Sequence, residues 1–436
     1  MAETDGSTTS TAPRKSSWKY IGPGIVVAAT GVGAGDLVAT LIAGSSFGYT
    51  LLWAAIIGCV VKIALAEAAG RWHLSTGRTL FDGWASLGKW TTWFFVVYVV
   101  IWGFVYGAAA MSSSGLPLQA LFPDADIDLK WWAIATGLVG LVFVWFNKYA
   151  VFEKVMTILV GVMFLVTVYL AIRVTPNLGD AFAGLLPVVP DAKDSVLNTL
   201  GLIGGVGGTI TLAAYGYWVN AKGWTNSGWM KVMRLDNRVA YITTGIFVIA
   251  MLFVGAELLH SANVAIASGD KGLLQLSEIL ELEYGEATAK LFLVGFFATS
   301  FTSLIGVWHG VSLMFADFAA RMRGGSGGST GAEVASGSRE KSPAFRAYLL
   351  WLTFPPMILL FVDQPFRLII IYGVLGAAFM PFLALTLIWL LNSSRTPAEW
   401  RNRPAGASNI MLLIAGLLFL VLAIKQIWDM DWANFF

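Results

Sequence analysis

The stretch from Gly22 to Tyr49, GPGIVVAATGVGAGDLVATLIAGSSFGY, reads as an apolar membrane helix that is interrupted at its centre. Gly31, Gly33 and Gly35 cluster in the middle, and a carboxylate, Asp36, follows them. In a bilayer, irregular backbone survives only where it is buried in protein or lines a cavity, since every N–H and C=O needs a partner. An ionised carboxylate at the bilayer centre costs about 2.5–3.5 kcal/mol or more. The stretch therefore predicts a broken helix with a polar site at the break.

The composition is that of a membrane protein. Of the 436 residues, 57% are hydrophobic and only 12% are charged, and the mean hydropathy is +0.71. Runs of about 20 apolar residues, each long enough to cross a bilayer, recur along the whole chain. They predict an all-α polytopic protein whose main partner is the lipid bilayer, with no separate soluble domain. The formal charge of +2 does not indicate nucleic-acid binding. The single cysteine, Cys59, excludes disulfides and thiolate metal sites.

Hydropathy predicts eleven transmembrane spans: 20–44, 48–70, 90–112, 130–148, 150–173, 196–222, 239–264, 287–318, 345–362, 366–392 and 409–428. Lys and Arg concentrate in one alternate set of the connecting loops, and Asp and Glu concentrate in the other set. Basic loops face the cytoplasm. We therefore expect a multi-pass protein of the cell inner (plasma) membrane, with a cytoplasmic N-terminus and an external C-terminus.

The span pattern also predicts how the chain is divided. Residues 1–18 are polar and form a disordered cytoplasmic tail in this interpretation. Residues 19–173 and 174–392 are two five-span repeats, and residues 393–436 hold a loop and an eleventh span. Within the second repeat, 324–342 contains the tract GGSGGSTGAEVASGS, which is typical of a flexible loop.

Span 6 contains a second glycine-rich interruption, GLIGGVGGTITLAAYGYW, from Gly201 to Trp218. Glycines in a membrane helix often mean only close helix packing. Spans 1 and 6 are, however, corresponding elements of the two repeats, and paired interrupted helices indicate the midplane site of a secondary transporter. A passive channel is the alternative, but breaks in repeat-related positions favour alternating access. No catalytic motif is present to indicate an enzyme.

Several stretches resemble the Nramp family of divalent-metal transporters, which have a LeuT-like fold. GPG with the four-residue motif Gly33-Ala34-Gly35-Asp36, and then AGSSFGYTLLW, are similar to the family's span 1 and the start of span 2. YAVFEKVM (Tyr149–Met156) resembles the start of its fifth span, and GLIGGVGGTI leads into its span 6 metal motif. The resemblance implies a LeuT-like inverted repeat of five plus five spans with one extra helix.

The motifs depart from the family at the residues that bind metal. The family has Asp-Pro-Gly-Asn at the span 1 break, so its metal-binding Asp falls on Gly33 and its Asn on Asp36. The family's Met-Pro-His falls on Leu212-Ala213-Ala214, which removes the thioether and the histidine. Its acidic proton-path positions fall near Gly107 and Ala110. We therefore expect proton coupling to be altered or absent.

Two substrate classes remain open. A site without a thioether suits a hard cation such as Mg²⁺ or Mn²⁺, and the candidate metal residues are Asp36, Gly33, Thr209 and Leu212. The alternative is an organic cation or amine bound by one carboxylate and aromatic faces. Its candidate residues are Asp36, Tyr215, Tyr217, Trp218, Trp102 and Tyr106. No resident cofactor is expected under either hypothesis, and the partner is a small cationic substrate.

Two charged residues of span 2 have structural interpretations. Glu67 lies one helical turn before Arg71, which predicts an ion pair between them. Lys62 lies deeper in the span. Its ammonium either snorkels to the membrane surface or pairs with Asp36 or another carboxylate, and we favour snorkelling.

Two further pairs of ionisable residues each share a helix face. Glu257 and His260 on span 7 are interpreted as one edge of an external vestibule, with a proton relay as the alternative. His309 and Asp317 lie eight residues apart on span 8. We expect His309 to be a buried, hydrogen-bonded histidine, and proton transfer is the alternative.

Overall fold

The structure is a computed structural model that describes residues 20–192, 195–205, 207–261, 270–322, 339–361, 365–403 and 405–428. Within helices, it leaves undescribed the side chains of 34–36, 38, 197, 205, 270–273 and 365–374. The described chain is helical, and none of its described residues forms a β-strand.

The first half contains eight helices. They are α1 (Pro23–Gly31), α2 (Ala34–Phe47), α3 (Leu52–Thr76), α4 (Leu80–Leu87), α5 (Lys89–Leu121), α6 (Leu129–Phe146), α7 (Tyr149–Arg173) and α8 (Leu178–Ala183). Together α1 and α2 form span 1, and α3, α5, α6 and α7 are spans 2 to 5. The short α4 begins at a capping box in which Thr79 and Asp82 bind each other's backbone N–H.

The second half repeats this order with a second interrupted helix. Its helices are α9 (Ser195–Gly205), α10 (Thr211–Ala221), α11 (Met230–Gly255), α12 (Asp270–Tyr284), α13 (Glu286–Met322), α14 (Pro343–Thr353), α15 (Pro365–Asn392) and α16 (Ala407–Trp428). Span 6 consists of α9 and α10. Spans 7, 8, 10 and 11 are α11, α13, α15 and α16, and span 9 begins with α14.

Among the described residues, nine helical segments are long and apolar enough to cross a membrane. Spans 1 and 6 are not among them, because each is split into two short helices. The two predicted interruptions are therefore present. The count of eleven membrane crossings and the domain boundaries stay predictions.

Several span boundaries differ from those expected. Span 3, for example, continues to Leu121 rather than ending at 112. Span 7 begins at Met230 rather than at 239, because its first turns carry polar residues that lower the local hydropathy. Span 9 changes from α-helix at Thr353 to a 3-10 segment over Pro355–Phe361, since proline lacks the N–H that an α-helix needs. The predicted loop tract 324–338 lies outside the described residues.

The two interrupted helices lie at the centre of the bundle. Helix α1 packs against α10, α11 and α13, and α3 packs against α9, α10 and α11. We call the end of the bundle that carries the basic loops the basic end and the other the acidic end. The breaks lie between these ends and are surrounded by other helices.

Candidate functional site

The two breaks touch each other through their backbones. Helix α1 ends at Gly31, Val32 is extended, and α2 begins at Ala34. Beside it, Gly208 donates its N–H to the Gly31 carbonyl oxygen at 3.1 Å. One interrupted helix thus satisfies a carbonyl that the other leaves without an intrahelical partner.

Glycine is required where the breaks meet. A Cβ atom on Gly31 would lie 2.1 Å from the Gly208 nitrogen, far inside van der Waals contact. Gly207 and Gly208 have φ angles of +62° and +88°, which glycine adopts without a steric penalty. The glycines predicted as a break therefore also allow the close approach of spans 1 and 6.

Other carbonyl groups at the breaks accept hydrogen bonds from side chains. Ser303 on span 8 donates to the Thr30 carbonyl at 2.9 Å and shares a 2.9 Å hydrogen bond with the Tyr106 hydroxyl. Tyr241 on span 7 donates weakly to Gly207, at 3.4 Å. Backbone carbonyl oxygens can be ligands of a hard cation, and these carbonyls already accept hydrogen bonds from neighbouring side chains.

Lys62 also binds a break, and the snorkelling interpretation of its side chain is wrong. The residue is fully buried, and its ammonium donates to the Gly208 carbonyl oxygen. The side chain points into the bundle because a buried carbonyl offers the ammonium a partner that lipid does not. The site thus contains a protein cation.

The predicted metal residues surround the breaks. A Cβ on Gly33 would lie 3.1 Å from the Ser303 hydroxyl, and Thr209 packs against Gly376 of span 10. Leu212 is fully buried and donates its N–H to the Thr209 carbonyl at 3.2 Å. Asp36 is the third residue of α2, where the helix dipole favours a carboxylate.

The side chain of Asp36 lies outside the described part of the structure, so the role of these residues stays a prediction. In the described ranges, no cluster of three or more His, Cys, Asp or Glu is placed to hold a metal ion.

The predicted aromatic residues fall into two groups. Trp102 and Tyr106 stack with their ring centroids 4.5 Å apart, and the hydroxyl of Tyr106 reaches the span 1 break through Ser303. Tyr215, Tyr217 and Trp218 lie further along α10, toward the basic end. The structure thus brings only the first group to the span 1 break.

The three α10 aromatics donate hydrogen bonds to polar partners on other helices. Tyr215 donates to Asp236 at 3.0 Å, and Tyr217 donates to Asp317 at 2.8 Å. The indole of Trp218 donates to His309 at 3.0 Å. These contacts use the polar atoms of all three side chains to hold α10 against spans 7 and 8.

The expected buried, hydrogen-bonded role of His309 is confirmed. Its ring is almost fully buried and stacks on Phe152, with centroids 4.4 Å apart. Besides the Trp218 contact, its Nε2 lies 3.2 Å from the Glu340 carboxylate. Asp317 accepts a 2.6 Å hydrogen bond from Thr79 as well as the one from Tyr217. Both residues thus hold the basic end of the bundle.

The predicted ion pair on span 2 is also present. Arg71 Nε lies 3.1 Å from Glu67, and Arg234 of span 7 pairs with the other Glu67 oxygen at 2.9 Å. Glu67 therefore joins two helices as well as two turns of its own helix.

Glu257 and His260 lie at the acidic end of the bundle, beside a cavity of about 390 Å³. His260 lines the cavity together with Tyr49 and Asp180. The Glu257 carboxylate accepts hydrogen bonds from the Tyr49 hydroxyl and from the Asn177 N–H. This arrangement supports the vestibule interpretation.

Two structurally important residues had no role in the sequence interpretation. Asp236 accepts hydrogen bonds from the N–H groups of Gly22 and Gly24, at 2.8 and 2.6 Å, and so caps α1. Ser303 binds the span 1 break. The run ATSFTS, which ends at Ser303, was a signal for this residue, because such a hydroxyl-rich segment is unusual in the middle of an apolar span. The sequence gave little indication of the capping role of Asp236, because this residue precedes the expected start of span 7 at 239.

Comparisons with known proteins agree with this geometry. A Mycobacterium leprae protein named divalent metal cation transporter MntH is 25% identical, over 90% of this chain and 88% of its own length. An Eremococcus coleocola manganese transporter crystallised with an aromatic bis-isothiourea compound has a TM-score of 0.77 at 18% identity. That alignment covers 98% of this chain and 92% of the other.

More distant structures share the fold as well. A nucleobase-cation-symport-1 family transporter in a closed conformation has a TM-score of 0.58 at 14% identity, over 96% and 94% of the two chains. The profile of the Nramp family, described as natural resistance-associated macrophage protein-like, matches residues 24–429. The chain has the LeuT-like fold and belongs to the Nramp family.

Proposed function

We propose that this protein is a secondary transporter that moves a divalent metal cation of the Mn²⁺ or Mg²⁺ type across the membrane by alternating access. The contact between the two breaks, from the Gly208 N–H to the Gly31 carbonyl, carries the proposal. This contact brings together, inside the bundle, the two places where backbone carbonyl oxygens do not accept regular helical hydrogen bonds. The relatives named as divalent metal cation or manganese transporters support the same substrate class.

The residues at the breaks favour a hard cation. Leu212 stands where the family has a thioether, and thioether ligands select soft transition metals. Carboxylate, hydroxyl and carbonyl oxygens suit Mg²⁺ and Mn²⁺. In the proposed site Asp36 supplies the negative charge, and the backbone around Gly33 and Thr209 supplies neutral oxygen ligands.

The packing of the interrupted spans supports alternating access as the transport mechanism in this proposal. Helices α1 and α10 leave the breaks toward the basic end, and α2 and α9 belong to the other halves of the same spans. Movement of the bundle containing spans 1 and 6 would open the site to one side of the membrane at a time. The N-terminus is cytoplasmic in this proposal, so the basic end faces the cytoplasm.

The test is uptake of Mn²⁺ and Mg²⁺ into liposomes that contain the purified protein. We expect saturable uptake by the wild type and loss of uptake in Asp36→Asn, which removes the charge and keeps the size. The control is Asp128→Asn, which makes the same chemical change at the exposed N-cap of α6. This variant should take up metal at the wild-type rate. Unchanged uptake by Asp36→Asn would remove Asp36 from the site.

The second candidate is an organic cation, and the stack of Trp102 on Tyr106 favours it. These rings lie one hydrogen bond from Ser303 and thus close to the span 1 break. Aromatic faces attract cations. Isothermal titration with Mn²⁺, Mg²⁺ and a panel of organic amines distinguishes the candidates. Binding of amines without binding of either metal would replace the metal proposal.

A further inference from the structure

Lys62 is a buried charge in the middle of a membrane span. It lies near the centre of α3, which runs from Leu52 to Thr76, and no part of it is exposed. A charged side chain at this depth is costly and therefore rare, and it marks a functional position when its partner belongs to a transport site. In the described part of the structure, one partner of Lys62 is the carbonyl group of Gly208.

Gly208 connects Lys62 to both interrupted helices. Its N–H donates to Gly31 at the end of α1, and its carbonyl accepts from Lys62. Its φ angle of +88° turns the peptide out of helical geometry. The Lys62 ammonium is therefore attached to the residue through which the two breaks meet.

A third helix completes the surroundings of the ammonium. The Phe419 ring of span 11 lies with its centroid 5.1 Å from the Lys62 nitrogen, in cation–π geometry. Helix α3 packs against both α9 and α16. The break, an aromatic face and the α3 backbone thus define a specific position for a positive charge.

We propose that Lys62 is a tethered competitor of the substrate cation: its ammonium on the Gly208 carbonyl and a metal cation between the breaks exclude each other. This inference rests on the proposed function. The carbonyl that a metal would use is occupied by the ammonium, and two positive charges a few ångströms apart repel strongly in a poorly solvated site. The substrate must displace Lys62 to bind, and Lys62 returns when the substrate leaves.

The experiment measures the dissociation constants of Mn²⁺ and Mg²⁺ by isothermal titration of the detergent-purified protein. Lys62→Met and Lys62→Gln remove the charge, and the Gln amide keeps a donor for Gly208. Lys62→Arg keeps the charge. Lys290→Met is the matched control, because Lys290 forms an exposed ion pair with Glu286 far from the breaks. Size-exclusion chromatography checks that each variant is folded.

Both neutral variants should bind the metal at least tenfold more tightly than the wild type, whereas Lys62→Arg and Lys290→Met should not. Neutral variants with equal or weaker affinity would overturn the competition while leaving the proposed function intact. Binding by the neutral variants alone would support both proposals, since the wild-type lysine would then mask the site. Binding by none of the proteins would overturn both.

Discussion

At the scale of single residues, the proposed site is tightly packed and has no ligand side chain at two positions where the sequence resemblance places metal ligands. Leu212 lies in the first turn of α10 as a fully buried apolar side chain, and the resemblance aligns it with the family's thioether. Gly33 lies beside the Ser303 hydroxyl, and the resemblance aligns it with the family's metal-binding carboxylate. The absence of a thioether lowers the attraction for softer metals, and the absence of a carboxylate lowers the attraction for any divalent cation. Restoring the side chains is therefore a direct test of the proposed site.

We predict that Leu212→Met combined with Gly33→Asp shifts selectivity toward Mn²⁺ by at least tenfold relative to Mg²⁺. The thioether favours the softer ion, and the second carboxylate adds negative charge that attracts either ion. The measurement is the ratio of initial uptake rates of the two ions into liposomes. The Gly33→Asp change needs only a small shift of the Ser303 hydroxyl, since a Cβ at this position would lie 3.1 Å from it.

The control for this pair is Leu383→Met, because Leu383 is also fully buried but lies on span 10. Its ratio of Mn²⁺ to Mg²⁺ uptake should equal that of the wild type. An unchanged ratio in the double variant would mean that these positions do not contact the metal.

At the scale of helices, the site depends on how the two interrupted spans are held. Span 1 meets span 6 at Gly31 and Gly208 without room for a side chain. Its first helix, α1, is held at the start by Asp236 of span 7, which binds two N–H groups that the helix cannot satisfy. The close approach of Gly31 to Gly208 and the Asp236 cap of α1 each lead to a separate prediction.

We predict that Gly31→Ala separates the two breaks and abolishes metal uptake. The added methyl group would lie 2.1 Å from the Gly208 nitrogen, so the backbones must move apart. Gly161→Ala is the control, because a Cβ at Gly161 in α7 meets no atom within 4 Å. That control should keep full uptake and the wild-type melting temperature. Normal uptake by Gly31→Ala would contradict the need for contact between the breaks.

We also predict that Asp236→Asn lowers the melting temperature of the detergent-solubilised protein. An amide offers one acceptor oxygen in place of two, so at least one buried donor loses its partner, at a cost of about 1–3 kcal/mol. Tyr215→Phe removes only one hydrogen bond to the same carboxylate and should cause a smaller decrease. Equal melting temperatures for Asp236→Asn and the wild type would show that the cap does not stabilise the fold.

At the scale of the whole molecule, polar networks connect the helices at both ends of the site. Tyr217 and Trp218 join α10 to span 8 at the basic end. Tyr49 and Glu257 join the start of span 2 to span 7 at the acidic end. Alternating access would require these networks to open in turn, so the two ends are candidates for gates.

Packing in span 3 bears on proton coupling. The sequence resemblance places an acidic residue of the family near Gly107, and a Cβ at Gly107 would lie 2.4 Å from the Leu352 carbonyl oxygen of span 9. Close helix contact thus occupies the space of a carboxylate. We predict that metal uptake proceeds without a pH gradient and without acidification of the liposome interior, as measured with an enclosed pH-sensitive dye.

A protonophore provides the control for this experiment, because it removes any pH gradient without changing the metal gradient. Uptake should be the same with and without it at a clamped membrane potential. Metal-dependent acidification of the interior that the protonophore abolishes would show that protons are coupled through other residues.

The class of protein, the two interruptions and the family can all be predicted without a structure. These follow from rules that act locally: apolar segments of sufficient length cross a bilayer, and glycine clusters interrupt a membrane helix only where other protein satisfies the backbone. The ion pair of Glu67 with Arg71 was predictable for the same reason, since both lie on one helix face.

Which polar groups contact each other could be seen only in the folded chain. Lys62 points to Gly208 rather than to the membrane surface, and Asp236 caps a helix more than 200 positions earlier in the chain. Tyr217 and Trp218 bind partners on span 8 rather than lining the breaks. Helical periodicity predicts the helix face on which a side chain lies, but not the residue of another helix that it contacts. The partner of a buried polar group depends on how distant helices pack, and the high cost of leaving that group unsatisfied makes the choice specific.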